Sequence, residues 1–296
     1  MAGRQRSGRD EEHPSERERL ELWLIEVPAD ATPVEPAVAL LSPDERERAG
    51  TFWRPADRAR YLVAHAALRL ILGDRLEVPP LEVPLERAPC AGCGGPHGKP
   101  IVGAGPGPGH PPGRPQTPPV HFSLSHSGSW AMIAVAAVPV GADVEERPRE
   151  ATLRDIGPSL HPREQADVMA AAPGDRTAAL GRAWARKEAY LKGIGTGLVR
   201  ELSADYTGWT GAADHPAGWV LHDVVADDRH AAAVALAAAP ATCPAPKAPA
   251  PKAPAPKAPT PPPGTTGPGT ALRPYRVGWN AVLSSGRWRR HREQLI

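Results

Sequence analysis

Cysteine is nearly absent from this chain. Three cysteines in 296 residues are too few, and odd in number, for a disulfide framework, so a packed core must hold the fold. Long apolar runs are missing as well. The run at residues 231–239 falls far short of the ~20 residues a membrane helix needs. Neither sign of charge is in excess, with 35 Lys and Arg against 33 Asp and Glu, a net +2. That balance gives no broad basic surface for nucleic acid. The first nineteen residues are charged and carry no apolar segment of the kind a secretory signal requires. A cytoplasmic protein of a reducing compartment, with no nucleic-acid or membrane partner, is the expectation. What is present is 41% hydrophobic residues, enough for a sizeable core, together with 38 Pro and 29 Gly, which commit much of the chain to turns and linkers.

The pattern divides the chain into five parts. Residues 1–19 are polar and unpatterned, a disordered lead-in. Residues 20–27 alternate as a strand. Ser42, Pro43, Asp44 and Glu45 combine an N-cap, a proline at the first helical position and first-turn acids, so a helix starts there. A second helix is expected from Pro55 to about Leu72, ended by Gly73. Arg54, Arg58 and Arg60 crowd its start, opposing the helix dipole, and Arg48 lies just upstream; an anion would offset that opposition, and so would solvent. Residues 103–119 approach low complexity. Strands are expected at 120–124 and 130–138 around a polar turn, Ser125 to Ser129, and again at 140–145. Helices follow at 162–172 and 177–192, and strands at 220–225 and 230–239. Residues 244–258 repeat PAPKA three times and, with the segment to 270, form an extended linker. Residues 271–296 are a basic tail expected to be disordered. The chain beyond about Cys243 is therefore expected to be dispensable for chemistry.

The stretch Trp184-Ala185-Arg186-Lys187-Glu188-Ala189-Tyr190-Leu191-Lys192 carries the most chemistry. At helical spacing Trp184, Glu188 and Lys192 share a face, with Lys187 beside it, and Gly193 and Gly195 end the helix. A carboxylate among ammonium groups suits a site for phosphate and metal; an ordinary surface ion pair of Glu188 with Lys192 explains the same spacing. Upstream, Gly141-Ala142-Asp143-Val144-Glu145 sets two carboxylates at i and i+2 of a strand, on one face, with Val144 turned to the core. Two acids held together repel, and a divalent cation relieves the repulsion; a solvent-facing strand does so too. Glu188 would complete a hard oxygen set. Ser125 and His126 stand at a strand end, and Lys99 lies in a Gly-Lys-Pro turn with Pro100.

Taken together and in this order, Gly98-Lys99-Pro100, Phe122-Ser123-Leu124-Ser125-His126-Ser127, Gly141 to Glu145 and Trp184 to Lys192 resemble the 4'-phosphopantetheinyl transferases, of the larger, Sfp-type monomeric kind. The resemblance spans roughly residues 20–239. The last motif matches the family pattern W-x-x-K-E-A-x-x-K throughout, while Ala142 stands where a larger aliphatic residue is usual. The resemblance implies an α+β fold, a pseudo-dimer of two similar halves (residues 20–139 and 140–243) with a coenzyme A cleft between them. The strand and helix reading, β-α-α-β-β twice over, fits such a repeat. The implied reaction moves the 4'-phosphopantetheine arm of coenzyme A to a serine of an apo acyl or peptidyl carrier domain of a polyketide, non-ribosomal peptide or fatty-acid synthase, releasing adenosine 3',5'-bisphosphate. By the same resemblance Asp143, Glu145 and Glu188 hold Mg²⁺ (or Mn²⁺), Glu188 takes the serine proton and Lys192 stabilises phosphate charge. Lys99, Pro100, Ser125, His126, Asp143, Lys187 and Lys192 would bind coenzyme A, with Arg48, Arg54 or Arg60 at its 3'-phosphate.

Two other classes compete. Cys90, Cys93 and His97 supply three of the four ligands of a structural zinc, with Cys243, His110 or His121 available as a fourth. The sequence favours a Gly-rich turn with two free thiols over that zinc; with it, the chain would be a zinc-stabilised binding module for nucleic acid or protein. A metal-independent coenzyme A acyltransferase is the other alternative.

Overall fold

The computed structural model describes residues 20–28, 34–103, 119–210, 214–238 and 272–279. The lead-in 1–19, nearly all of the low-complexity segment, the repeat linker 244–270, His110, Cys243 and the tail beyond Trp279 lie outside the described residues. Among those described, no helix is long and apolar enough to cross a membrane.

The chain runs β1 (Leu20–Glu26), α1 (Glu35–Val38), α2 (Pro43–Gly50), α3 (Pro55–Leu76), β2 (Leu85–Arg87), β3 (Pro100–Val102), β4 (His121–Ser127), β5 (Trp130–Ala136) and β6 (Val140–Glu146). It continues through α4 (Glu150–Ile156), α5 (Pro162–Ala170), α6 (Arg176–Ile194), β7 (Trp219–Val224), β8 (His230–Ala237) and β9 (Tyr275–Gly278). The fold is mixed α+β. One sheet has the order β4-β5-β1-β9, a second the order β6-β8-β7, and β2 pairs with β3 as a short ribbon. The order β4-β5-β1 has the same antiparallel connectivity as β7-β8-β6: in each set the strand that opens it pairs with the last, and the middle strand takes the far edge.

Period-two alternation decides the layers. Trp23 and Ile25 of β1 turn to one side and pack with Leu62, Leu68 and Leu72 of α3. Leu22 and Leu24 turn to the other side and meet Val140 and Val144 of β6 and Val234 of β8. The opposite face of the second sheet, through Ala233, Ala235 and Leu221, covers Ala185, Ala189 and Leu191 of α6. Helix, sheet, sheet and helix are thus stacked, and β1 reads as nearly continuous apolar sequence because both of its faces are buried.

Several expectations change. The capping box at Ser42 forms, with Ser42 accepting from Glu45 and Glu45 accepting from Ser42. The helix expected to stop at Gly73 instead runs to Leu76 and ends on Glu77 in the left-handed region, φ 57°. Gly73 serves a close crossing: a Cβ there would come within 2.8 Å of the Val78 carbonyl oxygen. The expected turn 125–129 shrinks to Gly128 and Ser129, so Ser125, His126 and Ser127 belong to β4. The disorder expected from residue 271 onward does not hold for residues 272–279. There Leu272 bridges to Val224, β9 lies parallel to β1, and Trp279, 1% exposed, fills the core beside α3. An indole in a basic tail has no periodicity to announce it, so only the vacancy it fills reveals its place.

Candidate active site at the seam of β4, β6 and α6

Glycine brings β6 and α6 together. A Cβ on Gly141 would overlap the Ala189 carbonyl oxygen, and a Cβ on Gly193 would press into the Trp219 ring at 2.6 Å. Gly193 therefore lies inside the helix, which ends at Gly195 in the left-handed conformation, φ 80°. With strand and helix this close, the odd-numbered face of β6 presents Asp143 and Glu145 to the face of α6 that carries Trp184, Glu188 and Lys192.

Asp143 is fully buried. Its Oδ1 accepts from Ser125 Oγ at 2.7 Å and pairs with Lys192 Nζ at 2.5 Å, and Lys192 also donates to Ser125 Oγ at 3.0 Å. The lysine thus pairs across to β6 rather than with Glu188 of its own helix. Asp143 Oδ2, buried to the same degree, has no hydrogen-bond partner among the described residues. Glu145 Oε2 accepts from Ser127 Oγ at 3.0 Å. Desolvation and the neighbouring Asp143 carboxylate push the Glu145 carboxyl up to about 7, and Glu188 adds to the rise. Desolvation, then Asp143, raises Glu188 too, against the pull of Lys192. Asp143, Glu145 and Glu188 act on one another electrostatically and, with one orphaned buried oxygen, offer an all-oxygen donor set of the kind that suits Mg²⁺ or Mn²⁺.

The raised carboxyl has a measurable consequence. Without metal, folded Glu145 holds its proton up to about pH 7, whereas the unfolded group releases it near its ordinary 4.5. The folded state therefore binds more protons between those values, and its stability falls as pH rises through that window. Melting temperatures of metal-free protein should decline from pH 4.5 to 7 more steeply than those of Glu145→Gln, and Mg²⁺ should offset the decline at the upper end. Identical slopes for the two proteins would remove the assignment.

Three serines line the seam. Ser123 Oγ accepts from the Ala142 backbone N–H at 2.9 Å, and Ser127 Oγ accepts from that of Glu146 at 3.0 Å. With Ser125 on Asp143, side chains of β4 serve strand β6 although the two strands belong to different sheets. Sequence reading singled out Ser125 and missed Ser123 and Ser127; the signal was serine at every second position of a strand.

The other expected residues divide. His126 is exposed on β4, and its imidazole is held below its ordinary range first by desolvation, then by the charges of His65, Arg60 and Lys192. His65, which sequence reading did not select, stacks on Tyr61 at 4.0 Å and meets Glu45 at 3.3 Å. Arg60 reaches the β4–β5 turn, donating to the Gly128 carbonyl at 2.9 Å, and pairs with Asp57. Arg48, whose guanidinium lies 5.4 Å from the Phe52 ring centre, and Arg54 are exposed upstream. Lys99 donates to the carbonyls of Val140 and Gly193, each at 3.0 Å, and burial brings its ammonium down to about 8. It clasps the start of β6 to the last turn of α6, with Pro100 exposed beside it at the start of β3. Lys187 departs from expectation. It is 1% exposed, pairs with the buried Glu164 at 2.9 Å and donates to the Asp205 carbonyl, so it braces α6 against α5 and has no access to a ligand. One residue off the Glu188 line turns it about 100° around the helix, into the core.

Beside Glu145 a cleft of about 210 Å³ opens between β6, α4 and α6, lined by Thr152, Ile156, Leu180 and Trp184 among others.

Residues 139–217, from the start of β6 past the end of α6, match the model of the 4'-phosphopantetheinyl transferase superfamily. The chain is 29% identical to "4'-phosphopantetheinyl transferase HetI" of Nostoc sp. (strain PCC 7120 / SAG 25.82 / UTEX 2576) over 74% of this chain and 88% of that protein. It is 30% identical to a phosphopantetheinyl transferase of Thraustochytrium sp. (strain ATCC 26185 / S-3), over 60% and 62% of the two chains. It is 24% identical to "4'-phosphopantetheinyl transferase Sfp" of Bacillus subtilis (strain 168), over 56% and 66%. The matched segment holds all three carboxylates and Lys192, the residues that strand and helix bring together here, so the chain is similar to these transferases in the part that carries its candidate site.

Proposed function

We propose that this protein transfers the 4'-phosphopantetheine arm of coenzyme A to a serine hydroxyl of an apo acyl or peptidyl carrier domain, releasing adenosine 3',5'-bisphosphate. The observation that carries the reading is the buried, unpartnered Oδ2 of Asp143 beside Glu145, Glu188 and Lys192. Asp143, Glu145 and Glu188 would hold Mg²⁺ or Mn²⁺. Bound there, the cation supplies charge neutralisation on the pyrophosphate. Lys192, already next to Asp143, reaches the same space and offsets charge on the phosphate oxygens as the bond to the leaving group breaks. Glu188, its carboxyl raised, is the better proton acceptor for that shift and takes the serine proton. Arg60 supplies a cation, and the His126 imidazole, with His65 near it, a hydrogen-bonding group for the remaining phosphates; Ser125 orients Asp143, and Arg48 and Arg54 lie toward the 3'-phosphate. Lys99 acts through the clasp between β6 and α6. The cleft by Trp184 suits the pantetheine arm.

The matching connectivity of β4-β5-β1 and β7-β8-β6 supports reading the molecule as a pseudo-dimer with coenzyme A at the seam. Residues 20–139 and 140–243 would be its halves, in a monomeric, cytoplasmic enzyme serving polyketide, non-ribosomal peptide or fatty-acid synthases.

Mixing the protein with coenzyme A, Mg²⁺ and a panel of apo carrier domains, then weighing the carriers, tests the reaction; EDTA should stop it, which a metal-independent acyltransferase would survive. Asp143→Asn should weaken the metal requirement's apparent affinity by roughly 10–100-fold, a range reached when even the partners of metal ligands are removed. Full transfer by that variant at limiting Mg²⁺ would show the metal is held elsewhere.

A further inference from the structure

The β2–β3 ribbon ends in a loop that the proposed transfer does not use. Its base is closed by the Ala88 N–H on the Lys99 carbonyl at 2.9 Å and the Gly98 N–H on the Ala88 carbonyl at 3.0 Å. At its tip Cys90, Cys93 and His97 place one sulfur or nitrogen each within 4.8 Å of one another, and among the described residues this is the one trio of candidate ligands so close. His121, on β4, is not part of the trio, and Asp143, Glu145 and Glu188 are spaced more widely. Cys93 Sγ lies 3.4 Å from His97 Nε2. Two ligands of a tetrahedral zinc, at about 2.3 Å for sulfur and about 2.0 Å for nitrogen, stand roughly 3.5 Å apart, so this edge already has the required length.

The backbone is shaped to the same end. The Gly94 N–H returns to the Cys90 carbonyl and the Cys90 N–H to the Gly95 carbonyl, each at 2.8 Å, winding the chain tightly around the first cysteine. Gly94 takes φ +72°, and a Cβ on Gly95 would press on the His97 ring at 3.0 Å and on Cys93 Sγ at 3.3 Å. A disordered thiol-bearing turn needs none of this. We propose that Cys90, Cys93 and His97 bind one Zn²⁺, with two thiol protons released on binding and the fourth position taken by water. The charge balances, since two thiolates neutralise the dication. Gly92 packs on Val199, just beyond α6, and the loop leads directly into Lys99. The zinc therefore acts as a structural clip on the segment that clasps β6 to α6, and the inference stands apart from any assignment at the carboxylates.

The test uses the untagged full chain, with its three cysteines. After removal of metal under reducing conditions, Co²⁺ should produce the intense visible bands of a tetrahedral site together with thiolate-to-metal charge transfer. Zn²⁺ should abolish these bands at one equivalent and shield two of the three thiols from a disulfide reagent. Cys90→Ser/Cys93→Ser should lose both signatures, and His97→Ala should keep the charge-transfer bands while binding more weakly. Metal removal should also raise amide hydrogen exchange across residues 88–99 while leaving β8 unchanged. Octahedral Co²⁺ spectra without thiolate bands, or equal binding by the doubly substituted protein, would overturn the proposal. So would a Cys90–Cys93 disulfide that persists in reductant, read as one titratable thiol.

Discussion

Turnover of Glu188→Gln should fall by roughly 10²–10⁴-fold, the range that general-base assistance supplies, while affinity for coenzyme A stays within about an order of magnitude. The amide keeps the size of the side chain and one oxygen able to face a cation. It removes the proton acceptor and one of the charges whose repulsion raises Glu145. A serine hydroxyl is a poor nucleophile near neutral pH, so the lost base should appear in the chemical step, read by weighing carrier domains over time. Raising Mg²⁺ should not restore the rate. Full rescue by Mg²⁺ would limit Glu188 to holding metal and move the base to another group.

Ending the chain before Leu272 should cost most of the protein's stability, in contrast to what its composition suggests. Trp279 alone, 1% exposed in the core that α3 and β1 share, should be worth about 3–5 kcal/mol against alanine. Against the ~5–15 kcal/mol that typically holds a domain, that is a large share. Truncation also strips β9 from β1 and removes the Leu272 pairing with Asp223 and Val225. Urea titrations should place Trp279→Ala well below the parent midpoint and the truncated chain lower still. A truncated chain with the parent midpoint would mean that this segment merely rests on the surface.

How far the sequence foretold these features depends on whether a residue's role is local. The capping box at Ser42, the strand at Val140 and the helix through Trp184 follow from spacing and cap chemistry within a few residues, and all three are present. Asp143 and Glu145 share a face because strands alternate, which needs no knowledge of the rest of the fold. The pairing of Lys192 with Asp143 rather than Glu188 could not be read, because it depends on Gly141 and Gly193 admitting helix and strand to close approach. Lys187 looked equivalent to Lys192 until Glu164, twenty-three residues upstream in the chain, received it in the core. Gly73 looked like a stop because a helix-ending glycine and a crossing-point glycine are the same letter; the contact at Val78 tells them apart. Trp279 was beyond reach for the same reason, since its pocket is made by other elements.

The serine seam has a mechanical consequence. A backbone ladder resists sliding along its whole length, whereas β4 holds β6 through Ser123, Ser125 and Ser127, bonds of roughly 0.5–1.5 kcal/mol net each that can be exchanged singly. Two of these hydroxyls are spent on Asp143 and Glu145, the groups a cation would draw inward. Whatever pulls on those carboxylates pulls on the fastening between the two sheets, so occupancy of the site and stiffness of the molecule are set by the same few atoms.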